Sequence, residues 1–155
     1  MKIDYVSDAD LAQVVGLRRR ALMRLAPKYY AAVEVKNLLA DYDADQLRNM
    51  IADKRLFCFR RNGDLCGTSG WDETYLRHLY VSPESFGQGI GSTLLEHTVA
   101  DFQTRTHQHT ISAGVSLYAR GFYEKCGFQV ESMERAWDGS EYYLMRRNIG
   151  QTQPC

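Results

Sequence analysis

The stretch Val81-Ser82-Pro83-Glu84-Ser85-Phe86-Gly87-Gln88-Gly89-Ile90-Gly91-Ser92-Thr93-Leu94-Leu95 decides the reading of this 155-residue chain. Tyr75 to Val81, rich in Tyr, Leu and Val, predicts a strand that Pro83 ends. Three alternating glycines follow, and then Ile90, Leu94, Leu95, Val99 and Phe102 recur at helical spacing. Glycine lets a backbone approach a ligand closely. The first-turn amides of a helix have no internal partners, and the helix dipole adds positive potential there. A strand, a glycine loop and a helix start in this order therefore suit a phosphate group. A tight turn that binds nothing is the competing reading, and three glycines without a capping side chain weigh against it.

Two nucleotide readings fail on spacing. A Walker loop needs GxxxxGK[ST], and no lysine stands at the required place. A dinucleotide loop needs GxGxxG after an early strand, whereas this loop reads GxGxG and lies past the middle of the chain.

Working outward, Lys2 to Val6 predicts a first strand, and Ser7 with Asp10 a helix start. Leu11, Val14, Val15, Leu22 and Leu25 give that helix its apolar face, with Arg18, Arg19, Arg20 and Arg24 on a solvated one until Pro27 breaks the pattern. Tyr29 to Ala40 predicts a second helical segment, and Asp43 starts another that carries Leu47, Met50 and Ile51. Leu56 to Phe59 and Leu65 to Trp71 read as strands joined by Asn62-Gly63, a strong signal for a two-residue hairpin turn. Beyond the glycine loop and its helix, Thr110 to Val115 is a strand. Ser116 is placed to cap a short helix through Cys126, with Gly127 at its left-handed end. Phe128 to Glu131 and Tyr142 to Arg147 supply the last strands. The order β-α-α-β-β-β-α-β-α-β-β predicts an α/β fold with a mixed sheet and helices on its faces.

Composition narrows the function. Nineteen Lys and Arg balance nineteen Asp and Glu, which excludes binding of nucleic acid or membrane by bulk charge. The length predicts a single domain over residues 1–150, with a frayed tail at 151–155. A chain of this size hides roughly 70% of its extended surface on folding, so no structural metal or disulfide is required. Cys58, Cys66, Cys126 and Cys155 form no CxxC pair and are expected to be free, mostly buried thiols in a reducing cytosol. The first residues lack the apolar core of a signal peptide, and no run is long enough to span a bilayer, so a cytoplasmic location is expected. His107 and His109 have no third ligand nearby in sequence, and no metal site is expected.

Residues 81–95 resemble the acyl-CoA-binding motif of the GCN5-related N-acetyltransferase (GNAT) family. Phe122-Tyr123-Glu124-Lys125-Cys126-Gly127-Phe128 resembles that family's C-terminal helix-to-strand motif, and the separation of the two motifs and the element order also fit. The resemblance implies a mixed, mostly antiparallel sheet splayed at the fourth strand, with acyl-CoA in the gap. The pyrophosphate would sit on the amides of Gln88, Gly89, Ile90, Gly91 and Ser92, following Gly87, and the pantetheine arm would pair with the backbone of Leu79, Tyr80 and Val81. Two positions depart from the family pattern. Phe86 stands where relatives carry Gln or Arg, and Ser116 where many carry Asn.

The implied reaction is transfer of an acetyl group from acetyl-CoA, as co-substrate, to a primary amine by direct attack. A backbone amide near Leu79 or Tyr80 would serve the oxyanion. Tyr123 is expected to be the general acid, since a phenol can protonate a departing thiolate without ionising first. Tyr118 is the fallback. Glu73 and His78 are the two candidates for a base, each set against a plain solvated surface role, and Tyr75 stands where some relatives carry a carboxylate, so a chain without a dedicated base is the competing reading. Cys126 is expected to be packed rather than to carry an acyl group, and Trp71 and Trp137 to be packing residues. In relatives the acceptor site lies between the first helices and the last strand pair. Here those carry Tyr29, Tyr30, Asp41, Tyr42, Asp43, Glu134, Trp137, Asp138 and Glu141, a set suited to a cationic small-molecule or peptide amine. Relatives also pair through their C-terminal strands, and Tyr142 to Arg147 is the segment that would form a homodimer. A noncatalytic acyl-CoA-binding module on the same fold is the alternative, favoured by Phe86, Ser116 and the missing base and opposed by Tyr123.

Overall fold

Ser7 and Asp10 begin the first helical segment as their spacing predicts. The Asp10 carboxylate accepts from the Ser7 backbone N–H at 2.8 Å and from its hydroxyl at 3.0 Å. Arg60 Nη1 and Nη2 reach the same carboxylate at 3.1 and 2.6 Å. The computed structural model describes the backbone of residues 1–29, 31–40 and 42–150, and all their side chains except those of Leu25, Ala26, Pro27, Tyr29 and Glu34. The expected tail at 151–155, with Tyr30 and Asp41 of the expected acceptor set, therefore lies outside the described residues.

In chain order the elements are β1 (Ile3–Tyr5), α1 (Leu11–Tyr29), α2 (Ala32–Ala40), α3 (Ala44–Ala52), β2 (Leu56–Arg61), β3 (Asp64–Asp72) and β4 (Tyr75–Val81). Then come α4 (Ile90–Thr106), β5 (Thr110–Val115), α5 (Arg120–Lys125), β6 (Gln129–Arg135) and β7 (Glu141–Asn148). Pro27 does not end α1, which runs on to Tyr29. So close to the helix end, its missing N–H costs only a last-turn bond. At the hairpin between β2 and β3, Asn62 and Gly63 have φ of +54° and +83°, the two left-handed residues that a type I′ turn requires.

The seven strands form one sheet in the order β1-β2-β3-β4-β5-β7-β6. All neighbours are antiparallel except β4 and β5, which run parallel. The mixed sheet and its helices match the expected fold class. Alternation along β2 divides the core. Phe57 joins Trp71, Leu94, Leu95, Phe102, Ile111 and Met145 beneath α4, while Leu56 and Cys58 join Val14, Leu47 and Met50 beneath α1 and α3. Helices thus cover both faces. Gly67 lets α4 close on β3: a Cβ there would lie 2.7 Å from Leu94 Cδ1 and 2.9 Å from Ile90 Cγ2. Cys58 and Cys66 are free and buried as expected. Cys126 is buried but disulfide-bonded, which corrects the expectation of a free thiol there.

No helix among the described residues is long and apolar enough to cross a membrane.

Candidate active site

The sheet opens where β4 meets β5. The two strands share a single paired position, Tyr75 with Ser112, braced by the bond from Ser112 N–H to the Thr74 carbonyl at 2.9 Å. Beyond it they diverge. On its other side β4 stays paired to β3, but the register slips between Thr68/Tyr80 and Gly70/Arg77, so that Ser69 faces both His78 and Leu79. The extra residue is a β-bulge, which bends a strand and re-aims its groups. His78 is the residue that turns, with φ of +56°, and its carbonyl accepts from Thr68 Oγ1 at 2.8 Å. The residues after the bulge, Leu79, Tyr80 and Val81, form the edge of the opening.

The glycine loop lies at the end of that edge. Gly87 and Gly89 have φ of +78° and +79°, and a Cβ on either would meet nothing within 4 Å. The loop is therefore left-handed twice and open on its outer side. Gly89 is the N-cap of α4, which places the amides of Ile90, Gly91 and Ser92 in its first turn. The hydroxyls of Ser92 and Thr93 donate to the Gly89 carbonyl at 3.1 and 2.8 Å and so do not cap those amides. Phe86 is 40% exposed beside the loop and offers no polar group. A cation arrives from elsewhere: Arg61, before the hairpin turn, donates from Nη2 to Gln88 Oε1 at 2.9 Å. Sequence reasoning missed this residue, which is 27 positions from its partner.

The facing wall comes from β5 and α5. Ser116 makes no side-chain cap, against expectation, and a single 3-10 turn over Leu117–Ala119 leads into α5. Gly127 ends α5 with φ of +86°. Its N–H bonds the Glu124 carbonyl at 3.1 Å and the Phe128 N–H bonds the Tyr123 carbonyl at 3.0 Å, a Schellman pair that fixes the turn carrying Tyr123. The Tyr123 ring is buried edge-on to Phe128 and Phe122, at 5.3 and 5.5 Å between centroids. Burial, and then proximity to Tyr80 and Tyr118, hold its hydroxyl proton far more tightly than in free tyrosine. Phe122 reaches the loop as well, with its Cζ 3.4 Å from where a Gly91 Cβ would stand.

On the other side of β4, His78 Nε2 lies 3.2 Å from Gln46 Oε1. Burial, Arg18 and Arg77 push the ring's pKa down to about 4, outweighing Asp72 and Asp43. Arg18 is buried on α1, where it donates to the carbonyls of Leu38 and Leu39 and sits 5.6 Å from the Tyr42 ring and 6.0 Å from the Tyr80 ring. Glu73 is exposed in the β3–β4 turn, at the closed end of the opening. Of the expected acceptor set, Asp43 caps α3 by accepting from the Gln46 N–H at 3.0 Å, and Asp138 closes the β6–β7 turn onto Ser140. Glu134 accepts from Ser132, and Glu141 faces Arg135 in the β6–β7 register. Trp71 packs as expected and donates to Asp101 at 2.8 Å. Trp137, expected to pack, is 74% exposed on the β6–β7 turn. His107 is the left-handed C-cap of α4, and no three metal-ligating side chains gather among the described residues.

A family model described as an acetyltransferase (GNAT) domain matches residues 27–149. The uncharacterized N-acetyltransferase YafP of Escherichia coli is 23% identical over 135 residues, covering 87% of this chain and 85% of that protein. Among solved structures, a GCN5-related N-acetyltransferase from Rhodopseudomonas palustris matches with a TM-score of 0.84 at 14% identity, covering 96% of this chain and 95% of that one. The PaiA N-acetyltransferase of Thermoplasma acidophilum, solved in complex with coenzyme A, matches with a TM-score of 0.73 at 19% identity, covering 96% and 98%.

Proposed function

We propose, from the premise that this chain belongs to the GNAT acetyltransferase family, that it transfers an acetyl group from acetyl-CoA to a primary amine by direct attack. The observation that carries this reading is the opening beside β4, with the glycine loop at its end and Tyr123 on its facing wall. The residues suit the co-substrate. Open space above Gly87 and Gly89 leaves room for a pyrophosphate on the first-turn amides of α4. The edge of Leu79, Tyr80 and Val81, turned from β5, is free to pair with the amide-bearing arm in the manner of an added strand. Ser116, the residue after β5, would border the same arm.

When bound, acetyl-CoA supplies an activated acyl thioester. The amide near Leu79 and Tyr80, re-aimed by the bulge, stabilises charge developing on the carbonyl oxygen. Tyr123 keeps its proton at neutral pH and shares it, as general acid, with the sulfur while charge gathers there; burial makes it a weaker acid than the thiol, so the proton that stays on sulfur arrives through solvent. The acceptor is a primary amine of a small molecule or peptide, entering past Tyr42 and Trp137. Acyl-CoA is an intracellular substrate, so the reading places the protein in the cytoplasm.

The test is release of coenzyme A thiol from acetyl-CoA in the presence of polyamines, amino acids, aminoglycosides and peptide N-termini. A thermal-shift titration runs beside it. Acetyl-CoA should raise the melting temperature while ATP and NAD do not, because a ligand of the folded state stabilises by mass action. Stabilisation without thiol release from any amine would favour a noncatalytic binder.

A further inference from the structure

His78 occupies a conformation that suits it poorly. A non-glycine residue with φ of +56° inside a strand is strained, because its Cβ crowds the following carbonyl. Its ring is tied into a chain of hydrogen bonds whose direction can be worked out from one end. Arg55 Nη1 holds Asp72 Oδ1 at 2.6 Å, so the Asp72 carboxylate is ionised and can only accept. Its other oxygen, Oδ2, lies 3.3 Å from Gln46 Nε2, which therefore donates. That fixes the amide, and Gln46 Oε1 is turned to His78 Nε2 at 3.2 Å. An amide oxygen only accepts, so Nε2 carries the imidazole proton. The neutral ring has a single N–H, which leaves Nδ1 as a bare acceptor. A second proton on the ring is opposed by burial, by Arg18 on α1 and by Arg77 on β4. It is favoured less strongly by Asp72 on β3 and by Asp43 at the start of α3. The Tyr80 ring, two residues along β4, stands 6.4 Å away.

We propose that Nδ1 of His78 accepts the hydrogen bond, and then the proton, of the attacking amine, and that Gln46 and Asp72 are positioning residues that reserve Nδ1 for it. The inference rests on the acetyltransferase reading above. The arginines and the burial that disfavour a cation on the ring disfavour one on a nitrogen beside it, so the amine is held as the nucleophilic free base. As its lone pair forms the C–N bond, nitrogen gives one proton to Nδ1 in the same motion, and the negative charge arising on the thioester oxygen offsets the imidazolium that forms. Tyr123 shares its hydroxyl proton with sulfur as the C–S bond breaks and the bonding pair leaves on sulfur. Solvent carries the imidazolium proton to the departing thiolate. The products are the amide and the free thiol, with both side chains restored.

The experiment joins NMR of the ¹⁵N-labelled full chain at pH 7 to kinetics with the best amine of the panel. The His78 ring should show the Nε2–H tautomer in the wild type and a mixture of tautomers in Gln46→Leu, without any ligand. His78→Asn keeps a residue that tolerates left-handed φ. It should lose at least about thirtyfold in kcat while its thermal shift with acetyl-CoA is retained. Gln46→Leu should lose about tenfold, in step with its tautomer change. A Nδ1–H or protonated ring in the wild type would overturn the proposal. So would wild-type kcat in His78→Asn, or in Gln46→Leu should His78→Asn fail to fold. A wild type that acetylates no amine overturns the acetyltransferase reading, and this proposal with it, whatever the ring shows.

Discussion

Arg61 donates from Nη2 to Gln88 Oε1 at 2.9 Å and so ties the tip of the β2–β3 hairpin to the glycine loop. The contact joins two devices that are separate in sequence. One is the Asn62-Gly63 turn, which brings the end of β2 back over the sheet, and the other is the run of left-handed glycines before α4. The loop has an apolar Phe86, and Arg61 brings a guanidinium to the same loop from a different strand.

Arg61→Ala should therefore weaken acetyl-CoA more than it slows turnover. A charge-assisted contact of an exposed side chain is worth about 1 kcal/mol, so KM for acetyl-CoA should rise about three- to tenfold. The effect should shrink as salt is raised from 50 to 500 mM, because exposed charges are screened over about 10 Å or less. Steady-state kinetics across that salt series checks it. An unchanged KM at low salt would reduce Arg61 to a brace for the hairpin.

Tyr123→Phe removes a hydroxyl and leaves the ring packed on Phe128 and Phe122. Folding and acetyl-CoA binding should persist, and kcat should fall at least about tenfold, the low end of what a lost general acid costs. Stopped thiol-release assays at saturating acetyl-CoA make the measurement. Equal kcat in the two proteins would pass the role to Tyr118 or to water.

Local features were legible in the sequence because their causes are local. The glycine spacing, the Asn62-Gly63 turn, the Ser7–Asp10 start and the Gly127 end of α5 each depend on a few adjacent residues, and each is present. Pro27 misled because a proline's effect depends on where the helix ends, which packing of α1 decides rather than the dipeptide around it. The fine structure of the site was not legible for a different reason. Arg55, Asp72, Gln46 and His78 come from β2's approach, β3, α3 and β4, and each of their bonds spans 17 to 32 positions. Residue types announce donors and acceptors, but the direction of a Gln amide or the tautomer of a histidine exists only once the partners have been brought together. Trp137 shows the same limit in reverse. Its type predicts packing, while a five-residue turn closed by Asp138 holds it out in solvent.

Gly67→Ala tests the close approach of α4 to β3. The added methyl would meet Leu94 Cδ1 and Ile90 Cγ2 at less than normal contact distance, and both side chains are fully buried. Overpacking of this kind costs about 1–3 kcal/mol. For a chain of this length the melting temperature should drop by about 3–10 °C. Because Ile90 opens α4, acetyl-CoA stabilisation measured by thermal shift should fall as well. A melting temperature equal to the wild type would show that Leu94 and Ile90 have room to shift.

The pair Asp10–Arg60 makes stability depend on acid in a defined window. The Arg60 guanidinium, and then the N–H and hydroxyl of Ser7, lower the Asp10 pKa from the ordinary 3.8 to about 2 against the opposing effect of burial. Asp10 thus binds a proton more readily in the unfolded chain than in the folded one. Its contribution is fully present above about pH 4, falls as the pH drops below that value, and is lost once the folded carboxyl protonates near pH 2. Solvent reaching Arg60 screens part of it, which leaves on the order of 1–2 kcal/mol at neutral pH. Urea unfolding of wild type and Asp10→Asn checks the sign. The wild type should be the more stable at pH 7, and the gap should narrow between pH 4 and pH 2. A gap that stays constant over that range would mean that Asp10 acts through the shape of its cap and not through its charge.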